Sequence, residues 1–386
     1  MKFNLIATCA AGIEALVGKE LRDLGYDVQV ENGRARFEGT EEDIIKTNLW
    51  LRTADKIKIV IDEFDAQTFD ELFEQTTAIA WDKMLPMDAA FPVEGRSKNS
   101  NLHSVPDSQA IVKKAIVNEL STAYHRHTRL PETGAEFPLE VAISKDHVML
   151  TLNTTGASLF KRGYRVEKGE APLKENMAAA LVMLTNWYPD VPFLDPFCGS
   201  GTIPIEAALV GRNIAPGFNR DFICEQWPWI DADMVQRVRD EADAKADYDT
   251  ELDISASDID GNMIEISKRN AEEVGLLDDI QFKQLAVADF KTDKVNGVIV
   301  GNPPYGQRMS DATRAHELYR QMGKTFKPLT SWSKYFLTSD LEFEKYYGQK
   351  ATKRRKLYNG SIRTDYFQFW GKKVRDLSSL SSFKEK

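Results

Sequence analysis

The sequence predicts an α/β protein, with an open, largely parallel sheet in its C-terminal part and a smaller α+β region before it. Three observations carry that prediction. The apolar run Val191 to Leu194 leads through Asp195-Pro196-Phe197-Cys198-Gly199-Ser200-Gly201-Thr202 into the helical stretch Ile203 to Val210, which reads as strand, glycine turn and helix. Two further strands, Leu252 to Ser257 and Ile280 to Leu285, are followed by Asp258 and by Ala288-Asp289-Phe290, so aspartates stand at successive strand ends. A fourth strand, Val298 to Gly301, runs into Asn302-Pro303-Pro304-Tyr305-Gly306. It must stop there, because proline has no N–H and restrains the residue before it.

The N-terminal elements follow from simpler patterns. Phe3 to Thr8 reads as a strand, and Gly12 to Leu24 as an amphipathic helix with Ile13, Leu16, Val17, Leu21 and Leu24 on one side. Tyr26 to Val30 and Arg34 to Phe37 flank Glu31-Asn32-Gly33, a hairpin signal. A helix over Glu41 to Leu51, a strand over Lys56 to Phe64 and helices over Phe69 to Ala80 and Ser108 to Tyr124 come next. Leu139 to Ser144 and His147 to Asn153 alternate as two strands around Lys145-Asp146. Ala90-Phe91-Pro92-Val93-Glu94-Gly95-Arg96-Ser97-Lys98 stands between the helices over Phe69 to Ala80 and Ser108 to Tyr124.

In the C-terminal part a helix follows Glu175, and Gly211 to Thr250 is longer than an ordinary return to a strand. That stretch holds Gln226-Trp227-Pro228-Trp229 and a charged helical run to about Asp247. The two tryptophans serve either as a stacking surface for bases or as packing onto the sheet. Asp260-Gly261-Asn262 opens a helix to Val274. A helix around His316 to Phe326, a strand from Lys334 to Thr338, a short helix from Leu341 to Tyr347 and strands near Lys353 to Tyr358 and Thr364 to Trp370 complete the chain.

Composition narrows the function. With 386 residues, 42% hydrophobic and 28% charged, the chain is globular and long enough for two or more domains. Its net charge of −9 gives no general attraction to nucleic acid, so any such contact must be local. Cys9, Cys198 and Cys224 show no Cys-x-x-Cys spacing, which supports neither a zinc site nor a disulfide framework and fits a reducing cytoplasm. His125 and His127 have no cysteine or carboxylate arranged with them, so no metal is expected. No apolar run approaches the ~18 residues of a membrane span.

The loop at Gly199 and Gly201 suits close approach of a ligand to backbone amides at a helix start. Its spacing is not Gly-x-Gly-x-x-Gly, and no lysine follows the second glycine, which argues against a nicotinamide enzyme and against an ATPase. An aspartate at a strand end can accept from both ribose hydroxyls, or can simply cap a helix.

Taken together, Asp195 to Thr202 and Asn302 to Tyr305 resemble the cofactor and catalytic loops of class I S-adenosylmethionine-dependent methyltransferases that act on exocyclic amino groups. The resemblance implies a seven-stranded Rossmann-like sheet with its last strand antiparallel. The cofactor would lie across Asp195, Phe197, Gly199, Gly201 and Thr202, with ribose at Asp258 and Ile259, adenine beside Asp289 and Phe290, and Asn302 close by. It also implies that Asn302 and the carbonyl of Pro303 accept from the amino group while Tyr305 stacks on the base.

The element order before residue 160 resembles a ferredoxin-like piece and then a THUMP RNA-binding domain. Domains of 1–60, 61–160 and 161–386 are expected. Arg-Gly-Tyr-Arg at 162–165 and Ala-Pro-Leu-Lys-Glu at 171–175 resemble the RlmL-type guanine-N2 methyltransferases, which implies that Pro172 and Leu173 lie near the cofactor. Some RlmL proteins carry a second methyltransferase domain. This chain ends soon after its first sheet, so only the guanine-N2 activity is expected.

RNA is the implied partner, ribosomal first and transfer RNA second. Arg96, Lys98, Arg126 and Arg129, and the run Lys353-Arg354-Arg355-Lys356, are either RNA contacts or solvated side chains. The same Asn-Pro-Pro-Tyr is found in protein-glutamine and adenine-N6 methyltransferases. A non-catalytic RNA-binding protein is a third reading.

Overall fold

The computed structural model describes residues 1–165, 173–305, 309–360 and 362–374, with backbone alone at 309–311. Pro172 and Gly306 lie outside the described residues. The chain divides into two compact units.

The first unit comprises Met1–Cys9, Glu14–Leu159 and Arg220–Ala242. Its strands are β1 (Phe3–Thr8), β2 (Gln29–Glu31), β3 (Arg34–Gly39), β4 (Lys56–Asp65), β5 (Val93–Lys98), β6 (Leu139–Ser144) and β7 (His147–Asn153). They form one sheet in the order β2-β3-β1-β4-β7-β6-β5. β4 joins its two halves, pairing with β1 at Lys56 to Ile59 and with β7 from Lys58 to Asp65. Residue 60, the expected limit of the first domain, therefore falls inside a strand. The helices are α1 (Glu14–Asp23), α2 (Glu41–Trp50), α3 (Phe69–Thr77) and α4 (Val105–Ala123). Two of them start in full capping boxes, Thr40 with Asp43 and Thr68 with Glu71, which satisfy amides that the first turn leaves without partners.

Val93–Lys98, to which the sequence assigns no element, is an edge strand paired in parallel with β6. A strand that contains Gly95 and ends in Arg-Ser-Lys shows no apolar alternation, because its pairing partner rather than its own side chains defines it. The segment 220–242, which contains α5 (Ala232–Asp243 for the whole helix), is grouped with this unit rather than with the C-terminal one. Trp227 is 1% exposed and stacks on Phe137 with centroids 4.9 Å apart. Its indole donates to Glu136 O, and that of Trp229 donates to Met84 O. The tryptophans are core packing of the N-terminal unit, neither a surface for bases nor a cover for the C-terminal sheet.

The second unit comprises Ala10–Ile13, Phe160–Asn219 and Asp243–Lys386. Its strands are β8 (Phe193–Asp195), β9 (Ile254–Asp258), β10 (Ile280–Gln284), β11 (Val298–Gly301), β12 (Ser333–Thr338), β13 (Lys353–Asn359) and β14 (Ile362–Phe369), in the order β10-β9-β8-β11-β12-β14-β13. The first five are parallel, and β14 runs antiparallel between β12 and β13. Chain order runs outward from β8 in both directions, so the end of β8 is the topological switch point where open α/β sheets bind ligands. Beside the sheet lie the helices at Glu175–Met183, Thr202–Gly211, Gly261–Glu272, Met309–Phe326 and Phe343–Tyr347. An aromatic core of Tyr319, Phe326, Phe336, Phe343, Tyr347, Phe367 and Phe369 supports β11 and β12 from one side.

Candidate active site

The loop after β8 is held by the aspartates at its two borders. Asp195 is fully buried, and its Oδ1 accepts from Phe197 N at 2.9 Å. Asp258, the last residue of β9, accepts from Gly199 N at 3.0 Å with Oδ2 and from Asp260 N at 3.0 Å with Oδ1. One carboxylate thus clamps the glycine loop to the neighbouring strand end. Asn270 adds a bond from its amide to Ser200 O at 2.9 Å.

The two glycines do different work. Gly201, at φ +85° ahead of the helix Thr202–Gly211, would bring a Cβ to 2.9 Å from Ser267, so it permits close packing of two helices. Gly199, at φ +51°, has nothing within 4 Å of where a Cβ would stand. The backbone there is open to a ligand.

Burial pushes the Asp195 carboxyl well above the usual carboxylate range, and the nearby Asp258 pushes it further. Its Oδ2 is buried and has no hydrogen-bond partner among the described residues. A buried acceptor with no donor is costly, by roughly 1–3 kcal/mol, unless something supplies one. The ammonium of an amino acid would do so. An open glycine turn, unpaired amides at a helix start and an unfilled acceptor fit the amino-acid part of S-adenosylmethionine.

The remaining cofactor candidates sit at the same edge of the sheet. Ile259, 73% exposed, follows Asp258 directly and offers an apolar face. Asp289 is exposed at the end of a short turn after β10, and Phe290 packs edge-on against Phe326 at 6.1 Å. Phe197 is half-buried against the aromatic core. Leu173 is buried, Thr202 is buried at the first position of its helix, and both bond Arg165 through an oxygen.

At the end of β11, Asn302 and Tyr305 are half-buried, Pro303 is buried and Pro304 is exposed. The Tyr305 hydroxyl donates to Asn302 Oδ1 at 2.6 Å. Burial raises the Tyr305 phenol above its usual range, so it is a proton donor and not a base at ordinary pH. Tyr319, from the helix Met309–Phe326, donates to Pro304 O at 2.9 Å and meets Thr338 at 3.1 Å. It ties the double-proline turn to a helix and to β12. The sequence had named Arg165 only as part of the 162–165 motif, with no role of its own, and had not singled out Tyr319, which stands where helical periodicity alone would call it core.

The basic candidates are divided between the two units. Arg96, Lys98, Arg126 and Arg129 belong to the first unit and Lys353 to Lys356 to the second. Arg96, 64% exposed, pairs with Glu140 at 2.9 Å, and Lys98 and Arg129 are exposed. Arg126 is half-buried with Nε unpartnered. The run 353–356 lies in β13, where successive side chains alternate between faces. Arg354 pairs with Asp365 and Glu344, and Arg355 donates to Gly12 O, which leaves Lys353 and Lys356 exposed. Among the described residues there is no group of three or more His, Cys, Asp or Glu that could hold a metal, and no helix long and apolar enough to cross a membrane.

Family models match three stretches of the chain: an RlmL ferredoxin-like domain at residues 4–58, a THUMP domain at 66–153, and an RMKL-like methyltransferase domain at 162–368. The chain is 56% identical over 372 residues to YpsC of Bacillus subtilis (strain 168), named as a candidate RNA methyltransferase, covering 96% of this chain and 97% of that one. It is 32% identical over 367 residues to the ribosomal RNA large subunit methyltransferase K/L of Shewanella frigidimarina (strain NCIMB 400), covering 93% of this chain and about half, 52%, of that protein. Among solved structures, SMU.472, a candidate methyltransferase complexed with SAH, superposes with a TM-score of 0.94 at 56% identity, covering 97% of this chain and 99% of that one. A chain from Listeria monocytogenes (str. 4b F2365), described as a predicted N6-adenine-specific DNA methylase, superposes with a TM-score of 0.93 at 57% identity, covering 96% and 97%.

Proposed function

The chain belongs to the RMKL-like methyltransferase family, and from that premise we propose that it methylates the exocyclic N2 of a guanosine in large-subunit (23S) ribosomal RNA. It is an S-adenosylmethionine-dependent RNA methyltransferase, and the guanine-N2 and 23S assignments are the finer part of the reading. The observation that carries it is the Asn302-Pro303-Pro304-Tyr305 turn at the end of β11, the strand beside the glycine loop of β8. A fixed amide and a backbone carbonyl there suit an amino group with two hydrogens to give.

S-adenosylmethionine, when bound, supplies a methyl group on a sulfonium as the electrophile. A guanine amino group is a weak nucleophile, because its lone pair is delocalised into the ring. Asn302 Oδ1 and the carbonyl of Pro303 would accept its hydrogens and stabilise the charge growing on nitrogen. An amide oxygen has two acceptor positions, so the Tyr305 bond leaves one for the base. Tyr305 would stack on a base that has left its helix. Orientation by this rigid turn supplies the larger share of the rate. No general base is required, since the methylated ammonium is acidic and loses its proton to water.

Ribose would be held at Asp258 and Ile259, adenine beside Asp289 and Phe290, and the amino-acid part over Asp195 to Thr202. Domains of 1–60, 61–160 and 161–386 divide the labour, with RNA held by the THUMP region and by Arg96, Lys98, Lys353 and Lys356. Such an enzyme works in the cytoplasm. The Listeria description favours a second reading, adenine-N6 methylation of DNA. The THUMP match supports RNA over it.

The test is incubation of the protein with methyl-labelled S-adenosylmethionine and nucleic acid from cells lacking it, then nucleoside mass spectrometry of each fraction. Label in N2-methylguanosine of the large ribosomal RNA is expected. Label in transfer RNA would change the substrate and keep the chemistry, and N6-methyladenine in DNA would replace the reading with the second one.

A further inference from the structure

The turn Asn302-Pro303-Pro304-Tyr305 has few torsions free to move. Each proline ring holds its own φ at about −65°, and each proline pushes the residue before it, here Asn302 and Pro303, towards an extended ψ. The peptide planes add no freedom. One soft torsion is left before Tyr305, the ψ of Pro304, and it decides where the Tyr305 ring goes. The oxygen of Pro304 turns with that torsion, so whatever holds this oxygen aims the ring.

Two buried hydroxyls hold it. Tyr319 donates to Pro304 O at 2.9 Å, and its oxygen meets Thr338 Oγ1 at 3.1 Å. Thr338 Oγ1 in turn accepts from Asp340 N at 3.1 Å. A phenol has one proton to give, and Tyr319 gives it to Pro304, so the threonine hydroxyl donates to the phenol oxygen. Burial pushes the Tyr319 phenol up to about 12, and the Thr338 bond acts in the opposite sense, as a donor to that oxygen does. The chain therefore runs one way, from Asp340 N–H through Thr338 and Tyr319 to Pro304 O, and bonds aligned in this way strengthen one another. Its far end is fixed as well. His316, one turn before Tyr319 on the same helix, meets Asp340 Oδ2 at 3.0 Å, and Asp340 Oδ1 accepts from Glu342 N at 2.8 Å. Valine would fill the same space in β12, which is buried along its whole length, so what Thr338 adds is its hydroxyl.

We propose that Thr338 and Tyr319 are positioning residues that fix the ψ of Pro304 and so aim the Tyr305 ring at the target base. This rests on the assignment of Tyr305 as the residue that stacks on that base. Both side chains are fully buried, so they reach the base only through Tyr305. No bond is made or broken in this step.

The experiment is a double-mutant cycle, read as single-turnover methylation of large-subunit ribosomal RNA from cells lacking the protein, with S-adenosylmethionine saturating. Alone, Tyr319→Phe is expected to lower the rate by roughly 2- to 10-fold, the worth of one neutral hydrogen bond. In the Tyr305→Ala background the same substitution changes the rate by less than about twofold, because no ring is left to aim. Thr338→Val lowers the rate by a smaller factor than Tyr319→Phe. Thr338→Ser, which keeps the hydroxyl, restores it to within about twofold of the wild type. The affinity for S-adenosylhomocysteine, measured by calorimetry, is unchanged in every variant.

An equal loss from Tyr319→Phe in both backgrounds would make the network merely structural and overturn the proposal. So would a full rate in Tyr319→Phe, or a rate in Thr338→Ser as low as in Thr338→Val. If Tyr319→Phe does not fold, the two Thr338 variants carry the same cycle. Normal turnover in Tyr305→Ala would instead overturn the stacking assignment on which the proposal rests, which separates the two failures.

Discussion

The hydrogen bond from Tyr305 to Asn302 allows the proposed catalytic turn to be taken apart. Tyr305→Phe removes the hydroxyl and keeps the ring, whereas Tyr305→Ala removes both. The 2.6 Å bond orients the Asn302 amide so that Oδ1 faces the phenol. Its loss frees the amide to rotate, at the cost of one neutral hydrogen bond, about 0.5–1.5 kcal/mol. By transition-state arithmetic that is a fall in kcat of roughly 2- to 10-fold. Removing the ring adds the loss of a base stack, about 1–3 kcal/mol, so Tyr305→Ala should fall by roughly 10- to 2,000-fold. Asn302→Ala removes the acceptor itself and should fall by about 100- to 1,000-fold, as a lost donor or acceptor at a developing charge does elsewhere. The assay is single-turnover methylation of RNA with cofactor saturating, together with S-adenosylhomocysteine affinity, which should be unchanged in all three variants. Because burial keeps the phenol protonated, the rate should show no break from Tyr305 as pH rises through the ordinary phenol range. Equal loss in Tyr305→Phe and Tyr305→Ala would refute the stacking role, and normal turnover in Asn302→Ala would refute the assignment of the site.

Three further outcomes are expected. Asp258→Ala removes the clamp on Gly199 N and Asp260 N as well as the proposed ribose acceptor, so S-adenosylhomocysteine affinity should fall by roughly 100-fold, and unchanged affinity by calorimetry would exclude the ribose role. Asp195 has a folded-state pKa above its unfolded value, so the unfolded chain binds fewer protons between the two and the fold loses stability as pH rises across that window. Asp195→Asn should therefore raise the melting temperature of the ligand-free protein progressively from acid to neutral pH while weakening S-adenosylhomocysteine; a pH-independent difference in melting would count against the burial argument. Trp227→Ala deletes a fully buried side chain of the N-terminal unit and should cost about 3–5 kcal/mol in denaturant unfolding, with the cofactor affinity of the protein that remains folded unaltered.

What the sequence made legible was the chemistry carried by short contiguous signals. Glycines at 199 and 201, aspartates at strand ends and a double proline are local constraints on the backbone, and each acts where it stands in the chain. The same logic located β8 to β11 and the antiparallel closing pair of β13 and β14. It failed where pairing partners decide. β5 has no apolar alternation because its register is imposed by β6, 46 residues further on at Val93 and Leu139. It failed also where a run of like residues invites a single reading. Lys353 to Lys356 looks like one basic patch, yet strand geometry divides it, and Asp365 and Glu344 take up Arg354.

Arg165 marks the deeper limit. Its Nη1 has no hydrogen-bond partner among the described residues, and such an orphan is defined only once every other partner is known. Those partners stand at 173, 175 and 202, the last of them 37 residues away. No spacing rule joins an arginine before one helix to a threonine at the start of another. The same holds for Tyr319, whose hydroxyl steadies a turn 15 residues earlier in the chain. Both residues sit behind groups that motifs already identify, and both work by fixing them. A motif therefore marks where charge is handled, whereas the precision with which it is handled comes from side chains that look, along the chain, like ordinary core.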